Sequence, residues 1–550
     1  MSQKHRYYLI ISNLCIFIII TYSLFTWGVQ GGYDPVFHID RIHTLATNLS
    51  HGHFPNPIGF EYLNHFGYGL GFFYGNFCLY PFALLNILGI SSYHCYLLFI
   101  LCCVLAAIVA IDCLVHTLFK KDWATIVAAP LYLNSYYYIG TIYFRGAAGE
   151  LLAFAITPWI FLGLLEMIQG HHHYWPLLAV SFALLLVTHI LSFFILAATA
   201  LILIVLNLSQ LWRQRGLFLS FCKSAALFLG LSMVFILPFV EQYFAQTYLD
   251  TSKNPGENTY LVIADIANSN PFFSPSRVIN LNGGFIFTLF LLSIIWNIYQ
   301  YQQQKNFNHN LKQAYSLIFI LGLFIISPLA LRILVKLFPP IVFLQIINRL
   351  NVAILPLTVL VIAKFGADFI STLSIKKSPI LILFLAAISI ITIMIPLRQN
   401  KQTMAPRRVS APNYFTYSIS RGEYEPQALY NYIAKHNFHV VPNSIARKGH
   451  YHILINNHQK LQIQFNKDVN SALIMCPRTY YLGYQAFQTH KRIPITSKNG
   501  LVTLRIRHIS KSETVNITYR LTKLAKLGWM IFIITLISML SIFIRKVGHT

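Results

Sequence analysis

The chain is 550 residues long, 56% hydrophobic and only 10% charged, with a mean hydropathy of +0.57, where soluble chains carry about 25% charged residues. That excludes an ordinary soluble domain, and apolar runs of about 20 residues, enough for a ~30 Å hydrocarbon core, recur along most of the length. The formal net charge of +25 falls on the loops of a membrane protein, so it points to anionic lipid or an anionic polymer and away from nucleic acid.

In chain order, the first apolar run, Tyr8 to Trp27, is too long for a signal-peptide core and has no small-x-small cleavage site after it, so it reads as a retained first span. Lys4 and Arg6 place the N-terminus in the cytoplasm, and the stretch 29–92 becomes a large first outer loop. Within it, 72–88 is apolar but interrupted by Pro81 and flanked by Gly69, Gly71 and Gly89. Read as a helix lying on the outer surface, it keeps Lys120 and Lys121 cytoplasmic. Further spans are expected near 93–118, 123–141 and 149–168, then a tight hairpin over 175–208 turning outside at His189. More follow near 217–240, 280–299, 314–332, 351–370, 379–396 and 527–544. The total is about twelve, with both termini cytoplasmic.

Between 398 and 525 the apolar runs stop. "YHILINNHQKLQIQF" (451–465) and "LVTLRIRHI" (501–509) alternate with period two, and "KNG" (498–500) is a turn signal. The sequence thus divides into a transmembrane domain, 1–397, an extracytoplasmic β-rich domain, 398–525, and a final span with a cytoplasmic tail, 526–550. The stretch 398–526 holds 20 Lys and Arg against 4 acids, so the positive charge concentrates on the outer face. Solubility and lipid docking are its plainest meaning.

Acidic residues number 16 in all, few enough for each to need a reason. "YDPVFHIDRI" (33–42) sets Asp34, His38, Asp40 and Arg41 just past the first span. In a helix started by Asp34 and Pro35, His38, Arg41 and Leu45 share one face. Capping alone would account for Asp34 but not for the His and Arg a turn later. In "YFRGAAGELLAF" (143–154), Arg145 and Glu150 flank small residues before a span. They either frame an anion site at a helix N-terminus or tie the loop as an ion pair. Arg349, in "QIINRLNVAILP" (345–356), falls outside and breaks the positive-inside pattern; phosphate binding and snorkelling to headgroups both fit. His189, in "LLLVTHILSFF", is a satisfied turn histidine or a ligand. The eight cysteines show no CxxC pairs or metal spacing, and three adjacent histidines (171–173) cannot all face one ion, so neither a metal nor another cofactor is expected.

"YDPVFHIDRI…GHFPNPIGF…GYGLGFFYGNFCLYPFALL", then "YFRGAAGELLAFAITPW" and "LLLVTHILSFF", resembles the bacterial GT-C-type membrane glycosyltransferases. More narrowly the chain is similar to the YfhO-like group and its relatives, the 6-pyruvoyl-tetrahydropterin-synthase-related membrane proteins. The tail "YYLGYQAF…NGLVTLRI…VNITYRL" resembles the outer β-domain of YfhO-like proteins. The resemblance implies a catalytic Asp in the first outer loop, an interfacial helix and a polyprenyl-phosphate-linked sugar as donor. Asp34 matches the position of that Asp, and His38 and Arg41 match the residues after it. The second acid stands at Asp40 and not directly beside Asp34, which leaves open which of the two is the base.

The expected activity is inverting transfer of the sugar to an extracytoplasmic cell-envelope acceptor, a teichoic-acid-type polymer or another glycan. Asp34 would be the general base, with Asp40 the second catalytic candidate, and His38, Arg41, Arg145, Glu150, His189 and Arg349 would bind substrate. A flippase for lipid-linked substrates would want charged residues along the mid-membrane, which the nearly uncharged spans lack. A non-catalytic protein that binds an anionic envelope polymer is the other alternative.

Overall fold

The first apolar run is helical from Gln3 to Trp27 (α1). The chain is seen here as a computed structural model that describes all residues except 28–33, 64, 250–288, 303–307, 327, 338–340, 342–346, 373–423, 436–440, 458–459 and 548–550. Six helices among the described residues are long and apolar enough to cross a membrane: Gln3–Tyr22, Ser92–Phe119, Ala148–Ile168, Arg215–Tyr243, Ile347–Ile370 and Lys523–Ile542. That is fewer, among the described residues, than the twelve spans expected. The run near 123–141 breaks into α5 (Asp122–Leu133) and α6 (Tyr136–Gly140). The break arises because the Ser135 side chain accepts the Tyr138 backbone N–H and starts a new helix. The hairpin over 175–208 is present as α8 (Trp175–Leu186) and α9 (Ile190–Leu206). The longer of these rises only about 26 Å. The run at 379–396 lies outside the described residues.

The chain forms two compact units: Met1–Pro35 with Leu97–Phe228 and Asn254–Arg408, and Val36–Tyr96 with Leu229–Lys253 and Val409–Thr550. In the first, α5 packs against both α1 and the helix Asn351–Thr372. α7 (Ala148–Ile168) and that helix are buried along most of their length. Polar side chains staple these apolar helices. Asn13 donates to Asp112 on α4 (Ser92–Phe119) at 2.7 Å, the Tyr132 hydroxyl to the Phe154 carbonyl at 2.8 Å, and the Tyr143 hydroxyl to the Ile20 carbonyl. Where water is scarce, such bonds are the available way to satisfy a buried polar group.

The second unit contains two antiparallel sheets, ordered β1-β2-β8-β4-β5 and β3-β7-β6. Their strands are β1 Tyr451–Asn456, β2 Leu461–Phe465, β3 Val469–Thr479, β4 Tyr484–Gln488, β5 Lys491–Ile493, β6 Ile495–Lys498, β7 Leu501–Ile509 and β8 Thr514–Tyr519. The expected turn at Asn499 and Gly500 joins β6 to β7 with both residues at positive φ, the geometry a two-residue hairpin loop requires. The sheets share one apolar core, including Leu461, Ile463, Leu504 and Ile517, with Ile58, Phe60, Phe66 and Phe72 from the loop after α2 (Asp34–Ser50). Main-chain bonding supports this, with Thr479 N–H on the Phe66 carbonyl at 2.8 Å. Gln242, near the end of the helix Arg215–Tyr243, donates to and accepts from Leu482. The apolar stretch 72–88 supplies core residues first, and only then the eight-residue helix α3 (Tyr80–Ile87), which is too short to span.

Candidate active site

α6 runs into a π-helical turn, Thr141–Arg145, which Gly146 ends in the left-handed conformation at φ +62° before α7 begins. Wide turns of this kind recur at functional sites. Here the turn sets Arg145 against Glu150, in the first turn of α7, with the NH1 of Arg145 2.7 Å from Glu150 Oε2. A second arginine joins them from the short turn Ile347–Leu350, with Arg349 Nε 3.9 Å from the same oxygen. Glu150 is only 1% exposed, whereas the Arg145 side chain is 26% exposed, so Arg145 is the open member of the pair. The Tyr137 hydroxyl donates to Glu150 Oε1 and accepts from Arg145 NH1 at 3.2 Å.

Asp34, at the start of α2, belongs to the same charge cluster. Burial raises its carboxyl above the ordinary aspartate range, Arg145 and Arg349 pull it back down, and Glu150 pushes it up again. His189 stands at the start of α9, and its ring caps that helix. Ser192 N–H donates to His189 Nδ1 at 3.3 Å, which fixes that nitrogen as an acceptor. The first unit thus couples Asp34 to Arg145, Glu150 and Arg349, and His189 lies in the same unit as the cap of α9. Sequence reasoning missed Tyr137, the middle of three adjacent tyrosines with no pattern to single it out.

His38, Asp40 and Arg41 belong to the second unit, since the division falls inside the first turn of α2. Arg41 is buried, and its hydrogen bonds go to the neighbouring loop: NH2 to the Gly75 carbonyl at 2.7 Å and Nε to Asn76 Oδ1 at 3.1 Å. Its guanidinium lies 4.3 Å from the centroid of the Tyr74 ring. NH1 sits 3.1 Å from His38 Nδ1; because arginine only donates, this nitrogen accepts and the His38 ring is neutral. Arg41 clamps α2 to the 74–76 turn.

Asp40 is pushed up to about 7, first by burial and then by the charge of Glu61. The ordinary aspartate value is 3.8, so the folded chain binds this proton more tightly than the unfolded one. The resulting stabilisation is full below the ordinary value and is lost as pH rises through about 7. Asp40→Asn should therefore leave the thermal midpoint unchanged at about pH 4 and raise it at about pH 8. Equal shifts at both would show that Asp40 ionises freely.

No family model matches the chain, and neither does any curated protein. Among solved structures, it is similar to the Archaeoglobus fulgidus oligosaccharyltransferase in complex with zinc and sulfate. That match has 12% identity and a TM-score of 0.46, and covers 78% of this chain and 55% of that one. It is also similar to the archaeal oligosaccharyltransferase AglB from Archaeoglobus fulgidus in complex with an inhibitory peptide and a dolichol-phosphate. There the identity is 12% and the TM-score 0.47, with 77% of this chain and 61% of that one covered. The chain spans less than two thirds of the length of these archaeal enzymes.

Proposed function

We propose that this chain is a GT-C-type membrane glycosyltransferase that moves a sugar from a polyprenyl-phosphate donor to an extracytoplasmic acceptor. The observation that carries the reading is the cluster itself: a half-buried carboxyl, Asp34, coupled to two arginines that share one buried glutamate. Burial raises Asp34 toward working pH, which suits a general base. The acceptor hydroxyl attacks the anomeric carbon while Asp34 takes its proton. The bond from that carbon to the phosphate oxygen breaks, and the lipid phosphate leaves with the electron pair. Charge growing on that phosphate is met by Arg145 and Arg349. Attack opposite the leaving group inverts the anomeric centre.

His189 caps α9 and is a candidate contact for the substrate. Asp40 is the second candidate base, and His38 and Arg41 shape the segment that follows Asp34. The motifs quoted above favour a place near the YfhO-like group, about twelve spans, cytoplasmic termini and an active site outside. The test is transfer of radiolabelled sugar in membrane vesicles. Arg145→Lys keeps the charge but loses the planar fork, so it should raise the apparent KM for donor roughly tenfold, a charge-assisted hydrogen bond's worth. The acceptor KM should stay put. Equal changes in both, or none, would remove Arg145 from the donor site.

A teichoic-type anionic polymer is the favoured acceptor, because Arg505, Arg507, Lys491, Arg492, Lys498 and Lys511 all stand exposed on the β-sheet region. Such charges are screened beyond about 10 Å at 0.1 M salt. Transfer to a long anionic polymer should fall steeply across a salt series, while transfer to a short neutral acceptor should not. Parallel curves would leave these charges to solubility or membrane docking.

A further inference from the structure

Tyr137 stands at the centre of a closed ring of hydrogen bonds. Its single proton goes to Glu150 Oε1, its oxygen accepts from Arg145 NH1, and the same NH1 reaches Glu150 Oε2. A guanidinium NH2 group carries two protons, so NH1 is fully committed inside the ring. Among the described residues, no hydrogen bond is made by Nε or NH2 of Arg145, the more exposed residue of the pair.

Arginine and a carboxylate left to themselves favour the fork, two parallel bonds from two nitrogens to two oxygens. In this site the tyrosine hydroxyl competes with the fork: it donates to Oε1 and takes one NH1 proton, and Arg145 meets the carboxylate through NH1 and Oε2. We propose that Tyr137 is a positioning residue: by holding Oε1 it keeps Arg145 attached through NH1 alone and leaves the Nε and NH2 edge for the phosphate of the lipid-linked donor. The inference rests on the phosphate reading of the site given above. Removing the hydroxyl frees Oε1 and one NH1 proton, and the guanidinium swings into the fork with Glu150. That gain for the ion pair is a loss for the ligand.

The local build makes the substitution a clean one. Tyr137 lies on the short helix α6, its carbonyl accepts from the Thr141 hydroxyl at 2.8 Å, and its ring packs edge-on to Phe154 with centroids 6.0 Å apart. Tyr137→Phe keeps both features.

The experiment is a double-mutant cycle on the full chain in detergent micelles: wild type, Tyr137→Phe, Arg145→Lys and the double variant. Binding of undecaprenyl phosphate and the thermal midpoint are read for each. Tyr137→Phe should weaken binding about tenfold without lowering the midpoint, and should add nothing in the Arg145→Lys background. Unchanged binding, fully additive effects, or a lowered midpoint would overturn the proposal and leave the hydroxyl as a structural bond. If Arg145→Lys binds the phosphate as wild type does, the phosphate reading itself falls, and this proposal with it.

Discussion

Asp34→Asn is expected to lower sugar transfer by about 10²- to 10⁴-fold, the usual cost of losing a general base, with expression and membrane insertion unchanged. Asparagine keeps the shape and can still start α2, but it cannot take a proton. The pH profile gives an independent check. The Asp34 carboxyl sits above the ordinary aspartate range because burial opposes its charge, and only the carboxylate can accept. Wild-type transfer should therefore climb as pH rises through that raised value and then level off, whereas the residual rate of Asp34→Asn should lack the climb. Asp40 is the control. Its carboxyl is pushed to about 7 by burial and Glu61, so it would give a climb of its own if it were the base. Near-wild-type transfer by Asp34→Asn together with a dead Asp40→Asn would move the base to Asp40.

Features set by neighbours in sequence were legible: the helix opened by Asp34 and Pro35, the hairpin break at His189, the turn at Asn499 and Gly500. Each depends on local backbone preference, which a sequence carries directly. The break at Ser135 was also within reach, since Asn-Ser is a capping signal, but the apolar run around it masked the signal. The convergence on Glu150 was not legible. Arg349 stood out because it violates the positive-inside pattern, yet nothing in the sequence says that a glutamate 199 positions earlier (349 − 150) receives it. Arg41 shows the converse. An arginine beside a histidine at an outer segment reads as a phosphate ligand, but whether it grips a ligand or its own chain depends on Gly75 and Asn76, more than thirty residues away. The stretch 72–88 reads from its sequence as a helix lying on the outer surface, yet Phe72 and Phe73 pack into the core of the β-sheets. Hydrophobicity says that a residue leaves water, not whether it enters a bilayer or a β-sheet core.

Glu150→Leu is expected to destabilise the fold by about 3–5 kcal/mol, the usual effect of removing one partner from a buried ion pair. The carboxylate is almost wholly enclosed and takes contacts from Arg145, Arg349 and Tyr137. Without it, two guanidinium charges face each other in a site built to neutralise them, and the Tyr137 hydroxyl loses its acceptor. The attraction that the glutamate provides is set against its own desolvation, so the pair as a whole contributes less than its loss would suggest. That asymmetry separates two outcomes. In thermal unfolding, Glu150→Leu should melt far below wild type, while Arg145→Leu combined with Glu150→Leu should recover part of the difference, because one of the stranded charges is gone. If Glu150→Leu melts with wild type, the cluster is wet enough to solvate its own arginines, and Asp34 does not stand in a water-poor site. If the double variant melts lower still, Arg145 is held by contacts other than Glu150.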